Sequence, residues 1–221
     1  EEQAIAAFFE DTFAEDLRRY PFNASYLGVK DQHDKWNSVT EAFQDQTRAI
    51  DEARLADIKA FDSEQLSDPM QLSRDLYQLG LERGLMMDAF RHEDYIITQF
   101  GGPHTSVPSS LINIHRVGDV TDAEAYIGRI NNTSVYFDGV IEQINIRTEK
   151  GLALVDWMYP QILQSAANVL KGAPFDDSGE DSAIWADFQE KVAALDIESA
   201  EQERLLDSAR QGLVDSLKPA Y

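Results

Sequence analysis

The sequence predicts an all-α fold: an antiparallel array of about seven helices with no substantial sheet, formed as one helical domain over residues 1–221. Three observations carry this. Apolar residues recur at spacings of three and four in nearly every segment, the period of one helix face. Helix-start signatures, a Ser/Thr/Asp cap or an early proline, stand in front of those segments. No convincing stretch alternates apolar with polar residues as a half-buried strand would.

The elements follow in order. Ile5, Phe8, Phe9, Thr12, Phe13 and Leu17 form the first apolar stripe. Tyr20-Pro21 ends it, because a residue before proline avoids the α region. Residues 21–37 read as an irregular loop with Pro21, Gly28 and a polar run over residues 31–35. Ser38-Val39-Thr40-Glu41 has the form of a capping box, in which Ser38 accepts from the Glu41 amide and Glu41 reaches back; a helix is expected from there to Phe61. Ser67-Asp68-Pro69 is a second start, with Asp68 as cap and Pro69 in the first helical position. The helix behind it carries Leu72, Leu76, Leu79, Arg83, Met86 and Phe90, and is expected to run to Tyr95.

Residues 98–120 break the pattern and read as a long turn-rich loop. Thr121-Asp122-Ala123-Glu124 is another capping box. The helix after it has the cleanest period in the chain, Ala123, Ile127, Ile130, Ser134, Phe137, Ile141, Ile144 and Thr148, which predicts one bundle seam. Lys150-Gly151 breaks it. Tyr159-Pro160 opens the next helix, with Ile162, Leu163, Ala166, Ala167 and Leu170 expected inward and Gly172 just past its end. Trp185, Phe188, Val192 and Leu195 mark a short helix. Leu205, Leu206, Ala209, Leu213 and Leu217 mark the last, over residues 198–217.

Composition narrows the function classes. The chain carries 40 acidic and 19 basic residues, a formal net charge of −21. Such a surface repels phosphate backbones and anionic headgroups, which argues against nucleic acid and peripheral membrane binding. With no cysteine there is no disulfide, thiol nucleophile or Cys-ligated zinc. No apolar run reaches the length of a membrane span, so no transmembrane segment is expected.

The chain has four histidines, His33, His92, His104 and His115. None lies within one helical turn of another, so no HExxH-type pair exists and no metal site is expected from this chain. His92 sits in a charged run, Arg91-His92-Glu93-Asp94, and reads as part of a solvated cluster. The loop Gln99-Phe100-Gly101-Gly102-Pro103-His104 is the strongest candidate for chemistry. Two adjacent glycines allow backbone shapes closed to other residues and bare their amides to a ligand, and a proline fixes the turn before the imidazole. Gln99, Gly101, Gly102 and His104 are the candidate substrate-binding residues, with His104 as hydrogen-bond partner or general acid/base. A tight loop joining two helices would use the same residues. No nucleophile–base pair is visible, so no catalytic residue is assigned.

Several segments resemble the bacterial "domain of unknown function 885" proteins, a family similar to zinc peptidases of the gluzincin type. Pro21, Ala24, Ser25 and Gly28 match a family opening of the form P-x-x-A-[ST]-x-x-G. Gln99–His104 resembles its FGG-x-H loop. Tyr126-Ile127-Gly128-Arg129-Ile130 is similar to a YIARL segment, with Gly128 and Ile130 as departures. Pro219-Ala220-Tyr221 matches a PAY that closes the helical half.

The resemblance implies an N-terminal, non-catalytic helical half of a larger metallopeptidase-like hydrolase. Its zinc would be held by a His-Glu signature in a C-terminal half, so the expected partners are that half and a peptide substrate. This chain alone would be inactive. Many relatives resemble exported lipoproteins, which implies a periplasmic or lipid-anchored location, with a lipidated cysteine preceding Glu1; otherwise the location is cytoplasmic. A missing half further predicts an exposed apolar docking face, seen as dimerisation or as a sticky patch. The competing expectation is a free-standing acidic helical module that binds a peptide or protein partner.

Overall fold

The computed structural model describes all 221 residues. Seventy percent of them are helical and no sheet forms. The helices are α1 (Glu2–Arg19), a short α2 (Pro21–Tyr26), α3 (Glu41–Ala60), α4 (Asp68–Asp88), α5 (Pro103–Asn113), α6 (Val120–Asn131), α7 (Thr133–Glu149), α8 (Tyr159–Val169), α9 (Ala183–Ala193), α10 (Ser199–Gly212) and a closing turn, α11 (Lys218–Ala220). One π-turn, Leu213–Leu217, joins α10 to α11. None of the helices is long and apolar enough to cross a membrane.

Two apolar clusters hold these helices. The larger has 18 buried residues, drawn from α5, α6, α7, α9, α10 and the π-turn, with Tyr126, Phe188, Leu205 and Leu213 fully covered. The smaller joins α1, α3 and α4 through Ile5, Ile58 and Leu66, with Phe8, Phe9 and Tyr77 packed around them. Arg54 ties α3 to α1 in the same corner. Its buried guanidinium donates to Asp16 at 2.8 Å, Glu15 at 2.7 Å and the Thr12 carbonyl at 3.2 Å.

The structure corrects several expected boundaries, each for a local reason. Thr40, not Ser38, caps α3, accepting from the Phe43 amide at 3.3 Å. Glu41 does not reach back to complete a capping box; its carboxylate is taken by Arg91, His92 and Gln143. Ser67 rather than Asp68 occupies the cap position of α4. The seam expected over residues 123–148 is two helices, because the chain turns at Asn132 with φ −83° and ψ 0°. After that turn the buried register shifts to Thr133, Phe137, Val140 and Gln143, leaving Ile141 half exposed. In α8, Ile162 faces inward as expected but Leu163 is 65% exposed.

The largest departure is α4. It buries no residue completely. Leu72, Leu76, Leu79, Met86 and Phe90 all point to solvent, Leu76 at 59% and Met86 at 61% exposure. The helix packs on α3 by its other side, through Met70, Tyr77 and Leu81. An apolar stripe about four turns long, Leu72 to Met86, thus lies open on α4, with Phe90 exposed just past its end.

Candidate functional site

The segment expected to be a loop over residues 98–120 is mostly helix. Pro103 stands in the first turn of α5, where its missing N–H costs nothing. The turn itself spans Thr98 to Gly101, closed by amide-to-carbonyl bonds in both directions at 2.9 and 3.2 Å. Phe100 projects from its tip, 92% exposed. Gly101 and Gly102 adopt φ +148° and +152°, the region that excludes ordinary side chains. A Cβ on Gly102 would lie 2.9 Å from the Ile96 carbonyl oxygen, so the second glycine is also required by close backbone approach.

His104 sits beneath this turn and is only 5% exposed. Pro108, one turn further on, cannot donate to the His104 carbonyl as a helix residue at i+4 normally would. The Tyr221 hydroxyl supplies the bond instead, at 2.8 Å. The far end of the chain therefore repairs the proline defect in α5. Tyr221→Phe is expected to lower stability by about 1–2 kcal/mol, since it leaves that carbonyl without a partner; a urea melt indistinguishable from the parent would contradict this.

The candidate side chains have an unusual feature in common. The Nδ1 atom of His104 and the Oε1 atom of Gln99 are buried and have no hydrogen-bond partner within the protein. Buried polar groups are nearly always paired, so two orphaned atoms five residues apart call for a reason. Burial lowers the His104 pKa below the ordinary histidine range, so the imidazole is neutral near pH 7 and can donate or accept. Just before the turn, Tyr95, Ile96 and Ile97 join Ile162, Leu163 and Tyr159 to line an apolar groove of about 250 Å³.

A second polar cluster was not legible in the sequence. His33 and His115 stack with ring centroids 4.0 Å apart. Arg129 is fully buried and donates to His115 Nδ1 at 3.0 Å, to the Lys35 carbonyl at 3.1 Å and to Ser25 Oγ. His115 Nε2 in turn donates to the Asp122 carbonyl at 3.0 Å, which fixes its neutral tautomer. Burial, with His33 and Arg129 close by, lowers its pKa to about 3. Ser25 Oγ lies 2.8 Å from His33 Nδ1, a pairing that resembles a nucleophile and base. Its oxygen, however, also meets the Pro21 carbonyl at 3.0 Å and takes a bond from Arg129. With all three sides engaged it has no lone pair free to attack a substrate.

Gly128, one of the departures noted in the sequence, is explained here. A Cβ at that position would lie 2.6 Å from the Asp34 Cβ, so the His33-bearing loop can close on α6 only over a glycine.

His92 is not part of a solvated cluster. Its side chain is 10% exposed, bonded through Nε2 to Glu41 at 2.9 Å and through Nδ1 to Lys150 at 2.6 Å. The four histidines therefore occupy three separate places, and no group of three or more His, Asp or Glu side chains is placed to hold a metal ion.

A family profile described as "Bacterial protein of unknown function (DUF885)" matches residues 21–221. The fold is similar to the crystal structure of a "putative lipoprotein" from Colwellia psychrerythraea, with a TM-score of 0.81 at 15% sequence identity. That match covers 99% of this chain and 39% of the Colwellia chain. At such identity the likeness speaks to the fold alone. No curated protein matches the sequence.

Proposed function

The chain belongs to the bacterial DUF885 family, and on that premise we propose that it forms the helical wall of a substrate cleft in a metallopeptidase-like lipoprotein. The observation that carries this reading is the pair of orphaned atoms, Gln99 Oε1 in the glycine turn and His104 Nδ1 in the first turn of α5. A peptide backbone brings one donor and one acceptor per residue, the complement such a pair lacks. The exposed ring of Phe100 and the apolar groove beside Ile96 and Ile97 would take side chains of the same peptide.

No residue set in these 221 residues fits zinc, and no hydrolytic step is assigned to them. In this reading the metal belongs to another part of a full-length family protein. Two features support such a partner. The chain spans 39% of the Colwellia protein, and the open stripe of Leu72, Leu76 and Met86 on α4 offers a face for further chain to pack on. The lipoprotein description of that relative suggests export and lipid anchoring for this one as well.

The test is peptide hydrolysis by a full-length family protein containing this chain, with His104→Ala and Gln99→Ala. Each substitution is expected to reduce kcat/KM roughly 10- to 100-fold, the loss of a buried hydrogen bond to substrate. Metal content and Tm serve as controls. Unchanged kcat/KM in both variants would remove the turn from the mechanism. Hydrolysis absent from the unsubstituted protein, with tight peptide binding by this chain alone, would favour the free-standing binding module.

A further inference from the structure

We propose that the hollow beside buried Arg129 binds a small oxyanion, a carboxylate or phosphate group. The inference is independent of the peptide-cleft reading, since it rests on different residues. Arg129 is fully buried, yet every hydrogen bond it makes goes to a neutral acceptor: the Lys35 carbonyl, His115 Nδ1 and Ser25 Oγ. Its remaining contacts are the faces of Phe22 and Trp36, at 5.1 and 5.5 Å. No carboxylate touches the guanidinium. Asp34 acts on it only from a distance. A buried charge with no bonded counter-ion keeps part of its field, which passes through the polar side chains between it and solvent.

Those side chains are Ser25 and His33, which form the inner wall of an open hollow of about 300 Å³. Gly28, Lys30, Asn113 and Arg116 complete its polar lining. No Asp or Glu lines it, although the chain has 40 of them. Outside the lining, Asp122 is occupied by Lys30 at 2.7 Å and the Gly118 amide at 3.0 Å. Arg116 stands exposed at the mouth. Lys30 and Arg116 are the charged side chains that line this one opening, in a protein of net charge −21. Gly28 has nothing within 4 Å of where a Cβ would stand, so the entrance is clear.

The chemistry available suits an oxyanion. Arg116 offers a forked donor and Lys30 an ammonium, while Asn113 and the His33 ring supply neutral polar contacts. A cation would meet Lys30 and Arg116 with no carboxylate in the lining to receive it.

The experiment follows the His33 and His115 ring signals by NMR while inorganic phosphate and, separately, succinate are added at constant ionic strength with chloride. A saturable shift centred on His33 is expected with one or both anions. Saturation by phosphate alone identifies a phosphate site, and by succinate alone a carboxylate site. Arg116→Ala removes an exposed side chain and is expected to weaken binding about tenfold without lowering Tm. Asn113→Asp places a negative charge in the lining and is expected to weaken it at least as much. Linear shifts with no saturation below about 10 mM for both anions would overturn the proposal. So would equal affinity in the parent and both variants.

Discussion

Arg129→Ala is expected to lower the stability of this chain by about 3–5 kcal/mol, among the larger effects any single substitution produces. The guanidinium joins three segments far apart in sequence: Ser25 at the end of α2, the Lys35 carbonyl in the following loop, and His115 between α5 and α6. Its backbone carbonyl also accepts from Trp36 Nε1 at 3.0 Å and from the Thr133 hydroxyl at 3.0 Å. Truncation leaves buried acceptors unpaired at roughly 1–3 kcal/mol each and empties the space between Phe22 and Trp36. Relief of the buried charge offsets part of this loss. Against a total stability of about 5–15 kcal/mol for a folded domain, the loss should appear as a fall in Tm of roughly 10 °C. Arg129→Lys should recover little, because an ammonium cannot reproduce the three-way fork. A Tm for Arg129→Ala within about 2 °C of the parent would show that the cluster does not hold these segments.

The second large effect is with pH. The His115 pKa is lowered to about 3 in the folded chain, against about 6.5 in an unfolded one. The native state therefore refuses a proton that the unfolded state binds. The contribution of His115 is intact above pH 6.5 and is lost progressively as pH falls from there toward 3, by about 1.4 kcal/mol per unit. His33 is shifted the same way, by burial and by Arg129. Glu41 adds a later loss. Burial pushes its carboxyl up, but bonds from Gln143 and His92 and the charge of Arg91 outweigh this and hold it at about 2. Its contribution is present above pH 4.5 and disappears between 4.5 and 2. Urea unfolding should therefore give a free energy lower by roughly 2–3 kcal/mol at pH 4.5 than at pH 6.5. Neutralising part of a net charge of −21 works in the opposite direction, since it relieves self-repulsion. A rise or no change in stability over that interval would thus show that the buried histidines do not dominate the acid response.

The candidate turn was legible because its chemistry is local. Two glycines followed by proline and histidine announce a backbone that only glycine permits, and the structure places Gly101 and Gly102 in that region. Helix α5 was hidden because it is short, polar at Ser106, Ser109 and Ser110, and carries Pro108 in its interior. Propensity argues against such a helix. It stands because Val107 and Leu111 are buried in the main core and Tyr221 bonds the carbonyl that Pro108 cannot reach. The Arg129 cluster gave no signal as a cluster, although Ser25 and Arg129 each stand in a segment that carries the family resemblance. Ser25, His33, His115 and Arg129 are scattered over more than a hundred residues, and no spacing rule joins residues brought together by packing.

By itself the sequence determined the helical class, the approximate place of most helices and the identity of the glycine turn. Those follow from interactions within a few residues: the 3.6-residue period, proline's fixed backbone and glycine's freedom. Tertiary structure alone decided which side of each helix is covered. On α4 the period marks an apolar stripe from Leu72 to Met86, yet the helix lies on α3 by Met70, Tyr77 and Leu81 and leaves that stripe open. Burial depends on what stands opposite a face, and that partner is never written in the face's own sequence.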